Sequence, residues 1–167
     1  MKIINEKGKL FGVVNIVDLL VLLAVIAVAV GVGYKLFAPQ IADATAKQVP
    51  MTAIVRVRGA TPFLVAEIER NDQVGKQIVS GSSYTTATIT DVKIEDYVQQ
   101  VTTADGRIVD ALDSSKKDII FTIETTVPEG TAAPSIGTQE IRAGRTMIVK
   151  TNDFETTGNI DSVQIGE

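Results

Sequence analysis

Arg56 and Arg58 stand two residues apart in a strictly alternating stretch, so both guanidinium groups fall on one strand face and could cradle an anionic group. The competing role is the wet side of an antiparallel sheet, where charges commonly sit. Ser114-Ser115-Lys116-Lys117 is the dense serine/lysine group of the chain. A serine nucleophile needs a desolvated lysine, and a polar turn between strands does not supply one. The Ser-Met-x-Pro setting of a signal-peptidase-type dyad is also missing. The chain has no Cys and no His, which removes the thiolate nucleophile of a sortase-like transpeptidase, cysteine-ligated zinc and the usual general base near neutral pH. A two-carboxylate glycosidase needs a cleft with aromatic platforms. Here there is no Trp, and the aromatics beyond residue 50 are Phe63, Tyr84, Tyr97, Phe121 and Phe154. Neither an Asp-x-Asp-x-Asp-Gly calcium loop nor a Gly-x-x-x-x-Gly-Lys phosphate loop occurs. The chain is expected not to be an enzyme and to carry no cofactor and no metal.

Two further polar residues matter for their position. Asn15 and Asp18 flank or enter a long apolar run, and an intramembrane acid marks a partner or a proton path by default. Asp18 precedes the continuous run, so it also suits the headgroup level, where the positive end of a helix favours it. Asn15 and Asp18 are therefore candidate partner contacts, as are Arg56 and Arg58.

The elements that position these residues begin with Leu19–Tyr34, LLVLLAVIAVAVGVGY, apolar on every side and without a charge. With its flanks it makes an apolar segment over residues 11–37. About 20 helical residues cross a hydrocarbon layer ~30 Å thick, so the segment is expected to be a single transmembrane helix. Lys2, Lys7 and Lys9 lie in a tail over residues 1–10, which the positive-inside rule retains in the cytoplasm. The later residues then lie outside, and the helix acts as an uncleaved signal-anchor. A cleaved signal peptide is the alternative, but Ala44-Thr45-Ala46 sits well past a core that is long for one. Gly31 and Gly33 lack the spacing of a Gly-x-x-x-Gly packing face.

The segment Lys2–Gly12 followed by Asn15-Ile16-Val17-Asp18-Leu19-Leu20 closely resembles the opening of domain-of-unknown-function family 4330. That is a bacterial family of uncharacterised single-span proteins with a small extracytoplasmic β-rich domain. Gly144–Ile160, with Val149-Lys150-Thr151 and Phe154-Glu155, is similar to the same family's ending. The resemblance implies a topology and a fold class, but no activity and no catalytic residues. It also implies that Asn15 and Asp18 are a signature, which favours a partner role for Asp18.

Residues 38–50 are alanine-rich with a proline near each end and read as a linker. Residues 51–167 form the outer domain. Met51–Arg58 alternates as a half-buried strand, and Thr61-Pro62 opens a short amphipathic helix ending near Asn71. Further strands are expected at Gly75–Val79, Thr86–Glu95, Tyr97–Thr103, Arg107–Leu112, Asp118–Thr126, Thr146–Thr151 and Phe154–Ile165. Asp105-Gly106 turns a hairpin, and Val127–Gly137 is a loop. An approximate internal repeat matches Ile78-Val79 with Ile148-Val149, and Ile89-x-x-Val92-x-Ile94 with Ile160-x-x-Val163-x-Ile165. Alternating strands produce such matches by chance as well, but related halves would suit a small barrel without exposed edges.

Charge separates the two parts. Residues 1–37 carry a net of +2, whereas residues 38–167 hold 12 basic and 18 acidic side chains, a net of −6. An acidic domain is a poor nucleic-acid ligand. The expected fold is one N-terminal transmembrane helix and a mainly-β, barrel-like extracytoplasmic domain with one short helix. The expected partners are the lipid bilayer of the cell (inner) membrane and a protein of the bacterial cell envelope, with an oligomer as an option. The functional expectation is a non-enzymatic, membrane-anchored module contacting another envelope component. The alternative is a subunit of an envelope lipid-transfer or export complex that forms an oligomeric β-barrel ring, for which Gly158-x-Ile160-x-x-Val163 offers a faint likeness.

Overall fold

The structure, a computed structural model, describes residues 9–10 and 14–166. It divides into two units, up to Ala46 and from Lys47 onward.

In the first unit a two-residue strand β1 (Lys9–Leu10) pairs antiparallel with β2 (Val14–Asn15). Helix α1 (Ile16–Thr45) follows. The transmembrane reading over 11–37 is therefore corrected at its start. Residues 11–13 lie outside the described part, and helical backbone begins only after Asn15, whose side-chain oxygen accepts from the Val17 amide at 3.0 Å. An N-cap of this kind satisfies one of the free donors of the first turn. Ile16–Ala38 is apolar and long enough to cross a membrane. The linker reading of 38–50 is also corrected: backbone is helical through Thr45 and a strand begins at Gln48. Alanine-rich sequence is good helix sequence, and composition alone does not distinguish the two.

The second unit contains β3 (Gln48–Ala60), α2 (Pro62–Arg70), β4 (Gln77–Ser80), β5 (Ser83–Thr102), β6 (Ile108–Pro128), β7 (Ser135–Ile136), β8 (Gln139–Glu140), β9 (Thr146–Lys150) and β10 (Glu155–Ile165). Thr61 caps α2 through its hydroxyl, which accepts from the Leu64 amide, with Pro62 at the first helical position. One antiparallel sheet runs β4-β5-β6-β3-β10-β9 and curls into a nearly closed barrel. Its inward positions are apolar and fully buried: Met51, Val55, Ile78, Ile89, Ile119, Phe121, Ile123, Met147, Val149 and Ile160. Phe121 stacks on Phe154 with centroids 5.7 Å apart.

Side chains, not a backbone ladder, close the seam between β4 and β9. Lys76 pairs with Asp153 at 2.5 Å, and the Thr151 hydroxyl lies 2.7 Å from Asp153 Oδ1 and 3.1 Å from Gln73 Oε1. The Gln139 amide serves as a short substitute strand for β9. It accepts from the Ile148 amide at 2.7 Å and donates to the Ile148 carbonyl at 3.0 Å. Unpaired edge groups are thus satisfied where the barrel would otherwise lie open.

The internal repeat is visible in the fold, with one shift. Gly75 N donates to Ile89 O at 2.8 Å, and Ile89 N to Lys76 O at 3.0 Å. Gly144 N donates to Ile160 O at 2.8 Å, and Ile160 N to Arg145 O at 2.8 Å. Both glycines have φ +85°, where a side chain is strained. The turn aligns Ile78 with Met147, both buried, and not with the exposed Ile148 that alternation alone suggested. In sheet order β4, β5 and β6 mirror β9, β10 and β3 about the centre.

The expected strands Thr86–Glu95 and Tyr97–Thr103 are one strand, and so are Arg107–Leu112 and Asp118–Thr126. Ser114–Lys117 consequently lies within β6 and not in a turn between strands. The register explains it: Asp96 pairs with Lys117 and Val98 with Leu112, so four residues of β6 oppose Tyr97 alone. A bulge of this size absorbs the polar interruption without ending the strand.

Candidate functional site

Beyond Lys117, β6 has β5 beside it and no further neighbour among the described residues, because β3 pairs with it only from Pro128 to Lys117. β4 reaches along β5 only as far as Thr88. Residues 97–112 therefore leave the barrel as a two-stranded arm. The turn closes where Gly106 N donates to Thr103 O at 2.9 Å, with Gly106 at φ +80°. The arm lies at the opposite end of β6 from Pro128, which pairs with Gln48 where the chain enters this unit.

On one face of the arm Val98 pairs with Leu112, Gln100 with Asp110, and Thr102 with Ile108. Val98, Ile108 and Leu112 are 43%, 68% and 62% exposed, values no core position of the barrel approaches. Val98 and Leu112 are cross-strand neighbours, and Ile108 lies beyond the Gln100–Asp110 pair on the same face, so a projecting ribbon carries three exposed apolar side chains on one side.

Arg56 and Arg58 sit at the base of this arm and face different neighbours. Arg56 is surrounded by carboxylates: Asp161 at 2.7 Å, Glu95 at 3.5 Å and Asp118 at 3.8 Å. The Asp161 hydrogen bond above all, with Glu95 adding, holds the guanidinium above its ordinary value against the opposing effect of burial. Its charge is thus taken up inside the chain. Arg58 is more exposed, donates to the Val98 carbonyl at 3.0 Å and lies 5.5 Å above the Tyr97 ring. Lys116 lies 5.6 Å from the same ring centroid, a pair of cation–π contacts that holds the bulge against β5. Both arginines lie 3.8 Å from Asp118 Oδ2, while Arg56 also pairs with Asp161 and Glu95 and Arg58 turns to the arm.

Asp118, buried and not singled out from the sequence, links these parts. Its Oδ1 accepts from the Gly59 amide at 2.9 Å, and its Oδ2 lies 3.8 Å from both Arg56 and Arg58. Gly59 adopts φ +64°, giving β3 its own irregularity opposite Asp118. The signal in the sequence was slight: a glycine after alternating arginines, and an acid heading the apolar run Ile119–Phe121. In the bulge, the Ser115 hydroxyl donates to Asp113 Oδ1 at 2.6 Å, Lys116 lies 3.8 Å from Asp113, and Lys117 lies 2.6 Å from Asp96. The Ser115 bond is the main cause that lowers the Asp113 pKa. Each lysine of this group is beside an aspartate and exposed or half-exposed.

The other candidates lie in the first unit. Asn15 caps α1, and Asp18 is exposed in the helix's first turn, where the dipole favours a negative charge.

A family model described as a domain of unknown function (DUF4330) matches residues 1–164. No curated protein and no solved structure matches the chain.

Proposed function

The chain belongs to the DUF4330 family of domains of unknown function, and we propose that it is a non-enzymatic, membrane-anchored module whose arm contacts another protein of the cell envelope. In this reading α1 crosses the inner membrane as an uncleaved anchor, with the lysine-bearing tail in the cytoplasm and the barrel outside. The observation that carries it is the arm: three exposed apolar side chains, Val98, Ile108 and Leu112, on a ribbon at the end of β6 remote from the chain's entry point. Exposed apolar surface of this kind favours a binding face, and the saturated base around Arg56 fixes how the ribbon leaves the barrel. Arg58 and Tyr97 flank that face. Asp18 is assigned to a contact with a second membrane segment, and Asn15 to capping the span.

A photoreactive residue at Leu112, introduced in living cells, tests the reading. The expected result is a discrete adduct with a second envelope protein that is absent when the probe stands at Lys93. Equal labelling at both positions, or lipid adducts alone, would refute it.

A further inference from the structure

The edge of the arm carries an inference separate from its face. Tyr97–Ala104 contains no charged side chain, no proline and no glycine, and along this stretch β5 has β6 on one side and no strand on the other among the described residues. Natural sheets protect such edges with charge, proline or a bulge, because free N–H and C=O groups recruit another strand. Beyond Val98, whose carbonyl accepts from Arg58 at 3.0 Å, the β5 edge lacks that protection, whereas β6 places Asp110 in the middle of Ile108–Leu112 and Asp113 just beyond.

We infer that two copies of this chain pair arm to arm, antiparallel through the β5 edge, with each Gln100 facing its counterpart. Charge selects this edge. The outer domain is acidic overall, so a second copy is repelled except where no carboxylate faces another. The β5 strip is bounded by charges already neutralised within the chain, Asp96 by Lys117 at 2.6 Å and Asp105 by Arg107 at 2.7 Å. Pairing the β6 edges about Asp110 would instead oppose two like charges, which destabilises a sheet. An isologous contact of this kind closes on itself and makes a dimer, continuing the ribbon into four strands and leaving Leu112 and Ile108 of both copies on one face.

The test uses the full chain in detergent, and the absence of native cysteine makes single-cysteine reporters clean. Gln100→Cys is expected to give a disulfide-linked dimer under mild oxidation, whereas Asp110→Cys gives none. Gln100→Lys and Gln100→Glu, each alone, are expected to lose the dimer while the β-sheet circular dichroism of the folded chain is retained. Differently tagged Lys and Glu variants, co-expressed, are expected to recover it as a mixed pair. A monomeric wild type, a larger ring, linkage through residue 110, or charge variants that dimerise as well as wild type would each overturn the inference. Because Gln100 is exposed, these outcomes are distinct from loss of the Leu112 adduct, which tests the envelope partner.

Discussion

The Gly59 amide donates to Asp118 Oδ1 at 2.9 Å, joining β3 to β6 at the level where the barrel ends and the arm begins. Asp118 is buried there, so its removal strands a donor and leaves Arg56 with fewer carboxylates. Asp118→Ala is expected to cost about 1–3 kcal/mol, the range for a buried group left unsatisfied. Asp118→Asn keeps an acceptor and is expected to lose less. Urea denaturation of the two variants measures the difference; equal losses would mean that the acceptor is not what matters.

The barrel depends equally on what is missing at Gly158. A Cβ built there would lie 2.7 Å from Val55 Cγ1 and 2.9 Å from the Arg56 carbonyl oxygen. The backbone of β3 would have to shift, so Gly158→Ala is expected to destabilise by about 1–3 kcal/mol, as overpacking does. Here φ is not positive, so the effect reports close approach and not strain. Thermal unfolding checks it, and an unchanged melting temperature would mean that β3 yields to the added methyl without cost.

Phe121 is fully buried and stacks on Phe154, linking the centre of the sheet to the segment before β10. Phe121→Ala is expected to cost about 3–5 kcal/mol. A loss below about 1 kcal/mol, against that scale, would mean that the core does not close around this ring.

The seam between β4 and β9 predicts a pH dependence. Burial pushes the Asp153 carboxyl up, but hydrogen bonds from Lys76, Thr151 and Gln73 outweigh it and hold the pKa below its ordinary value. A group with a depressed folded pKa contributes stability that is full above its unfolded pKa. That contribution is lost as pH falls through the folded value. Wild-type stability is therefore expected to fall in acid below about pH 4, the carboxylate range, with a shallower limb for Asp153→Asn. Parallel acid limbs for the two proteins would contradict the assignment.

Local sequence patterns carry most of this architecture. Thr61-Pro62 specified α2, alternation specified the core side of β3, and Asp105-Gly106 specified the hairpin turn. What sequence hid was set by pairing over distance. Residues 113–116 look like a turn because they are polar, and only the β5 register, with Tyr97 opposite them, makes them a bulge. The repeat was legible, yet alternation offered Ile148 as the match for Ile78. The paired turns at Gly75 and Gly144 select Met147. Arg56 and Arg58 read alike as neighbours on one face, and only Asp161, far along the chain, separates their roles. Asn15 reads as a polar intruder until its side chain is seen capping α1.

In the proposed topology α1 holds the barrel and its arm on the outer side of the membrane. A single cysteine at Asp105, on the tip of the arm, reports it most directly in a chain with no other thiol. A membrane-impermeant maleimide added to cells whose inner membrane is intact, with any outer layer opened, is expected to label Asp105→Cys fully, and the labelled chain is expected at full length in the membrane fraction. Labelling only after the inner membrane is lysed, or recovery of the chain in the soluble fraction, would contradict the account.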